Sequence, residues 1–183
     1  MTAPEFSRPE FSRPEFSRIV DLRQLDGRDV ELVATAEECA RLAERFGVVQ
    51  IDRLKATLSL AREGDTVQAN GRLEARLVQS CAVSAEDLPI TVSEPLALRF
   101  VPAKAADHPE VELEIDSTDP DEIEYSGTAI DLGEAIAQSL GLAIDPFATG
   151  PEAASAREKL RNETDGPFAA LAALKRKQDD GAD

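Results

Sequence analysis

Apolar and polar residues alternate along most of the chain between Arg53 and Val101. Leu54, Ala56, Leu58 and Leu60 interleave with Lys55, Thr57, Ser59 and Ala61. After the Glu63-Gly64-Asp65-Thr66 turn, Val67, Ala69, Gly71, Leu73, Ala75 and Leu77 interleave with Gln68, Asn70, Arg72, Glu74 and Arg76. A break follows around Cys81 to Pro89, and Leu96, Leu98 and Phe100 resume the pattern. A period of two puts alternate side chains on opposite faces, which predicts an antiparallel meander with one buried and one wet face.

The flanking segments predict the remaining elements. Ile19 to Leu25 and Val30 to Ala34 read as strands joined by the Asp26-Gly27 turn. Thr35 and Glu38 have the spacing of a capping box. The helix they open places Cys39, Leu42, Ala43 and Phe46 on one stripe before Gly47 stops it. Asp131 caps a second helix whose stripe is Leu132, Ala135, Ile136 and Leu140, ending near Gly141. Val111, Leu113 and Ile115 alternate with Glu110, Glu112, Glu114 and Asp116, as in an edge strand guarded by outward carboxylates. Near 167–177, Pro167 opens a short helix with Phe168, Leu171 and Leu174 on one face and Lys175-Arg176-Lys177 at its end. A helix this short gains order only by docking.

The fold expected is α+β: an antiparallel sheet of about six strands, curled toward a barrel, with two packed helices and flexible termini. Residues 1–18 form an extended Pro-rich arm, 19–145 the folded domain, and 146–183 a polar, Ala-rich tail that carries the short helix. The arm repeats Pro-Glu-Phe-Ser-Arg three times from Pro4 to Arg18. Proline at every fifth position stops helix and ladder alike, and only the copy beside Ile19 is expected to pack.

Composition changes the picture through charge. The chain has 183 residues and a net charge of -16. Such a protein repels phosphate backbones, so direct RNA binding is expected to be weak or indirect and basic proteins are the better partners. From Asp107 to Glu124 nine carboxylates occur with no Lys or Arg. Glu110, Glu112 and Glu114, together with Phe168, Leu171 and Leu174, are the candidate partner-binding residues. The two cysteines lack metal-ligand spacing and point to a reducing compartment. Cys39, on a helical stripe, reads as a small buried hydrophobe. No apolar run is long enough for a membrane span and the N-terminus lacks a signal-peptide pattern, so a cytoplasmic location is expected. No phosphate loop, nucleophile elbow or metal cluster appears, and His108, the single histidine, stands alone in the acidic stretch. No enzyme and no cofactor is expected.

An order of motifs runs through the chain. Gly71-Arg72-Leu73-Glu74-Ala75-Arg76-Leu77-Val78-Gln79-Ser80-Cys81 leads into a Pro-containing strand ending at Phe100. Ile130-Asp131-Leu132-Gly133-Glu134 precedes Leu140-Gly141-Leu142, and Pro167-Phe168-Ala169 precedes Leu171 and Leu174-Lys175. This order, from about Glu15 to Lys177, resembles the YceD-like family, the bacterial large ribosomal RNA subunit accumulation proteins. The resemblance marks Gly71, Cys81, Asp131, Leu132, Pro167 and Phe168 as family-motif positions. It implies a role in synthesis, processing or stability of large-subunit ribosomal RNA. Taken with the charge and the missing catalytic motifs, the leading expectation is a non-enzymatic factor with a basic ribosomal or rRNA-processing protein as its partner. Many members carry Cys-x-x-Cys at the end of this strand and a further Cys after the late helix, which suits a metal. Here Ser84 holds the second position and residues 146–151 contain no Cys, so no metal is expected. The alternative function is a small-ligand binder with an apolar cavity inside a closed sheet.

Overall fold

The computed structural model describes residues 14–25, 27–103 and 121–162. These fall into two compact units. The first takes residues up to Gln79 and Pro89–Asp145; the second takes Ser80–Leu88 and residues from Pro146 onward.

The first unit is built on the predicted meander. Strand β1 (Ile19–Asp21) leads through a 3-10 turn, Leu22–Gln24, to β2 (Arg28–Val33), helix α1 (Ala36–Phe46), and the long strands β3 (Gln50–Glu63), β4 (Thr66–Ser80) and β5 (Asp87–Pro102). Then come β6 (Asp121–Tyr125), β7 (Ala129–Asp131) and helix α2 (Leu132–Ala143). The main sheet has the order β2-β3-β4-β5-β6, and β1 pairs with β7 as a separate ribbon. β2 and β3 run antiparallel, as do β3 and β4, whereas β6 joins β5 in parallel. The class is α+β, as expected. Among the described residues the sheet does not close, however: β2 and β6 are its two edges. The acidic strand expected at 110–116 lies outside the described residues.

Register explains the core. On the inner face Leu54 lies opposite Ala75, Ala56 opposite Leu73, and Leu60 opposite Ala69, while Val30 and Leu32 of β2 face Leu58 and Ala56. All the β3 and β4 members of this set are buried in one cluster with Phe100, Leu42, Ile136 and Leu140. A bulge between Ile51 and Arg53 shifts the alternation by one residue, so Ile51 and Leu54 both point inward. Gly71 sits where a Cβ would lie 1.9 Å from the Thr57 carbonyl oxygen, so this position admits no side chain without moving β3.

The helices start as their capping residues dictate. Thr35 Oγ1 accepts from the Glu38 amide while Glu38 Oε2 accepts from the Thr35 amide. Gly47 adopts the left-handed conformation (φ 65°) that ends α1. Asp131 caps α2 by accepting from the Gly133 and Glu134 amides at 3.0 and 3.2 Å. Gly141 does not end α2, which continues to Ala143; a Cβ there would stand 3.0 Å from the Phe46 ring, so its smallness serves packing instead.

The packed chain begins before Ile19. Phe16 is fully buried, and the third pentapeptide copy, Pro14–Arg18, is tied to the helices through its side chains and backbone. The first two copies lie outside the described residues.

Candidate functional site

Three surfaces could carry function: the open sheet face, the joint around Asp131, and the turn at Cys81. On the open face, the register sets Arg53 directly opposite Arg76 and Thr57 opposite Arg72. Like charges in that position repel. Neither Arg53 nor Arg76 makes an ion pair among the described residues, whereas Lys55 reaches Glu31 at 2.7 Å and Arg99 reaches Glu122 at 3.0 Å. A shallow hollow of about 140 Å³ opens between Arg53, Arg76 and Thr91, with Glu74 on its wall. This is a local cationic exception on an acidic protein. The alternation puts Arg76 on the wet side but does not by itself pair it with Arg53; the pairing comes from the register that runs unbroken from the Glu63–Thr66 turn.

At the second surface Asp131 does more than cap α2. Its Oδ2 accepts from Ser17 Oγ at 2.5 Å and its Oδ1 from the Arg18 amide at 2.7 Å. Arg18 then turns to α1, where its guanidinium meets both Glu38 oxygens at 2.7 and 2.9 Å and lies 4.6 Å from the Phe16 ring centroid. The Arg18 hydrogen bonds, reinforced by the Thr35 amide, hold the Glu38 carboxyl down at about 2. A Cβ on Gly133 would stand 2.6 Å from the Phe16 carbonyl oxygen, so the lead-in and α2 touch backbone to backbone. Every polar group here answers another protein group. The joint is structural, and Asp131 and the fully buried Leu132 belong to it.

The second unit supplies the third surface. Cys81, at the end of β4, is buried, and its Sγ accepts from the amides of Val83 at 3.5 Å, Ser84 at 3.4 Å and Gly150 at 3.4 Å. Hydrogen bonding by Ser84, side chain first and backbone second, and then by Gly150 lowers the Cys81 thiol to about 7. Glu86 Oε1 accepts from the Ser84 hydroxyl at 3.0 Å and from the Glu152 amide at 2.9 Å, just ahead of helix α3 (Ala153–Asn162). A carboxylate is favoured at a helix N-terminus. Cys39 differs: burial raises its thiol, in keeping with a small core side chain.

Of the sites expected from sequence, Gly71, Cys81, Asp131 and Leu132 are described, and they do not converge on one place. Glu110, Glu112, Glu114, Pro167, Phe168, Leu171 and Leu174 lie outside the described residues. Among the described residues no group of three or more His, Cys, Asp or Glu could hold a metal ion. The Cys81 turn does not fit one either: its sulfur faces three N–H donors, the Ser84 oxygen is engaged with Glu86, and the loop at Gly150 offers an amide hydrogen rather than a ligand. No described helix is long and apolar enough to cross a membrane.

No curated protein and no solved structure matches the chain. A family model described as "Large ribosomal RNA subunit accumulation protein YceD" matches residues 69–175. The description names accumulation of a ribosomal RNA subunit and no enzymatic activity. The matched stretch takes in β4 with Gly71 and Cys81, the Asp131-Leu132 cap of α2, and the Pro167-Phe168 motif. It covers more than half of the 183 residues, and the chain therefore belongs to the YceD family.

Proposed function

We propose that this protein supports the synthesis, processing or stability of large-subunit ribosomal RNA by holding a basic ribosomal or RNA-processing protein, without itself acting as an enzyme. The observation that carries this reading is the net charge of -16 in a member of a family described by ribosomal RNA accumulation. A protein so acidic gains Coulomb energy from a cationic protein and loses it against phosphates. Glu110, Glu112 and Glu114 are the proposed electrostatic contacts, and Phe168, Leu171 and Leu174 the apolar anchors that charge alone does not supply. The cytoplasm is the proposed location.

The test is made in the native host. Replacing the chromosomal copy by one with Glu110, Glu112 and Glu114 changed to Gln is expected to lower large-subunit ribosomal RNA relative to the small-subunit species. It should also reduce the basic protein recovered with the tagged chain. Normal RNA ratios together with unchanged recovery would overturn the reading. The small-ligand alternative required a closed sheet, and among the described residues β2 and β6 are open edges that give it no support.

A further inference from the structure

Two chain segments 69 residues apart, the turn after β4 and the loop before α3, meet at one sulfur atom. A buried thiol, a turn folding back over it at the i+2 and i+3 amides, and a second segment reaching it form the framework by which a Cys-x-x-Cys zinc site joins distant segments. This chain has that framework with amide hydrogens, not ligands, facing the sulfur.

We propose that the second unit is closed by a metal-free hydrogen-bond clasp, centred on the Cys81 sulfur and the Glu86 carboxylate, which does the structural work a metal ion does where the full cysteine set is present. The sulfur gathers the Val83, Ser84 and Gly150 amides. The carboxylate gathers the Ser84 hydroxyl and the Glu152 amide. Ser84 thus touches both centres. Backbone bonds complete the closure: the Cys81 amide donates to the Glu86 carbonyl at 2.8 Å, the Ala85 amide to the Cys81 carbonyl at 3.1 Å, and the Ala82 amide to the Ala148 carbonyl at 3.0 Å. Ala85 takes the left-handed conformation (φ 60°), the one described non-glycine residue to do so, which marks how tightly the turn is wound.

The two segments are also fitted sterically. A Cβ at Gly150 would lie 2.4 Å from Glu86 Oε1 and 2.5 Å from Leu88 Cδ2, so the clasp closes only over glycine. Zinc would need thiolate, imidazole or carboxylate lone pairs aimed at one point. Here lone pairs meet amide hydrogens, so a metal would have to displace the bonds that form the clasp.

The test uses the full-length chain. Zinc content and thermal midpoint are measured with a strong chelator and with added zinc, and amide exchange at Val83, Ser84, Gly150 and Glu152 is followed by NMR. The clasp predicts no bound zinc, a midpoint that neither treatment moves, and four protected amides. Cys81→Ala is expected to speed exchange at Val83, Ser84 and Gly150 by about tenfold, the loss of one ordinary hydrogen bond, and Glu86→Ala to do the same at Glu152. Cys81→Ser keeps an acceptor and should retain most of the protection if the alanine variant does not fold. One zinc per chain that is lost in Cys81→Ala, or wild-type amides exchanging as fast as those of the Cys81→Ala and Glu86→Ala variants (or, if the former does not fold, as fast as unprotected amides), would overturn the proposal.

Discussion

Phe16→Ala is the sharpest probe of how the chain is held together, because Phe16 belongs to a repeat whose other copies carry identical residues. The ring is fully buried, with the Arg18 guanidinium over it and its own carbonyl oxygen close against Gly133. Removing a buried Phe side chain costs about 3–5 kcal/mol, part lost transfer energy and part cavity. The Arg18 guanidinium over the ring adds about 0.5–1 kcal/mol. We take about 4 kcal/mol as the expected loss, which for a chain of this size lowers the thermal midpoint by roughly 8–16 °C. The assay is urea unfolding followed by circular dichroism, in the whole chain and in one lacking Thr2 to Arg13. The deletion alone is expected to change stability by less than about 0.5 kcal/mol, as changes away from packed features do. Phe11 cannot readily replace Phe16, because its copy could slide into place only by looping five residues out beside β1. Phe16→Ala should therefore cost about the same in both backgrounds. A loss below about 1 kcal/mol, or one that appears only in the deleted chain, would refute the packing argument.

Other expectations follow from single contacts. Glu38→Gln should cost about 1 kcal/mol near pH 7, because it removes the charge from a part-buried, doubly bonded ion pair while the Gln oxygen can still accept the capping bond. Because the folded carboxyl is held at about 2, below its unfolded value near 4.5, this stability is present above pH 4.5 and fades as pH falls toward 2. Wild type and variant should converge in acid unfolding, and a constant gap would contradict the assignment. Cys81 is lowered to about 7, so its contribution is complete above the unfolded thiol value near 9 and is lost as pH falls through 7. The wild-type advantage over Cys81→Ser should thus be larger at pH 9 than at pH 6, and the reverse trend would argue against the sulfur acting as acceptor. Gly71→Val should destabilise by more than about 3 kcal/mol, since its Cβ would collide with the backbone of β3 rather than with a movable side chain. Near-neutral denaturant curves would show that the strands can part there.

The parts legible in the sequence are those set by local chemistry or by short periods. Alternation from Leu54 to Leu60 and from Val67 to Leu77 exposed the meander, and the Thr35–Glu38 and Asp131–Glu134 spacings exposed both helix starts. Parts set by distant partners were hidden. Ile19 to Leu25 reads as one strand, yet its pairing with β7 ends at Asp21, and Leu22, whose amide donates to the Thr128 carbonyl, opens the 3-10 turn Leu22–Gln24. Helix α3 has no apolar stripe along Ala-Ala-Ser-Ala-Arg-Glu-Lys-Leu-Arg-Asn, so its sequence reads as part of a polar tail. The parallel pairing of β6 with β5 depends on a connection rather than on either strand's pattern. The Arg53–Arg76 pair follows from the register set at the Glu63–Thr66 turn, which the alternation of either strand alone does not give. Cys81 was visible as a lone motif cysteine, but the Gly150 amide and the Glu86 carboxylate beside it come from segments with no matching motif.

The central claim is that an acidic member of this family reaches ribosomal RNA through a basic protein. Its most direct test is binding of the purified chain, at physiological salt, to large-subunit ribosomal RNA and to a panel of basic large-subunit proteins. The account predicts a protein partner whose affinity falls as salt rises and falls again in Phe168→Ala or when Glu110, Glu112 and Glu114 are neutralised. RNA alone should bind weakly. Tight, specific RNA binding without any protein partner, abolished by reversing Arg53 and Arg76 and untouched by the acidic and Phe168 variants, would contradict it.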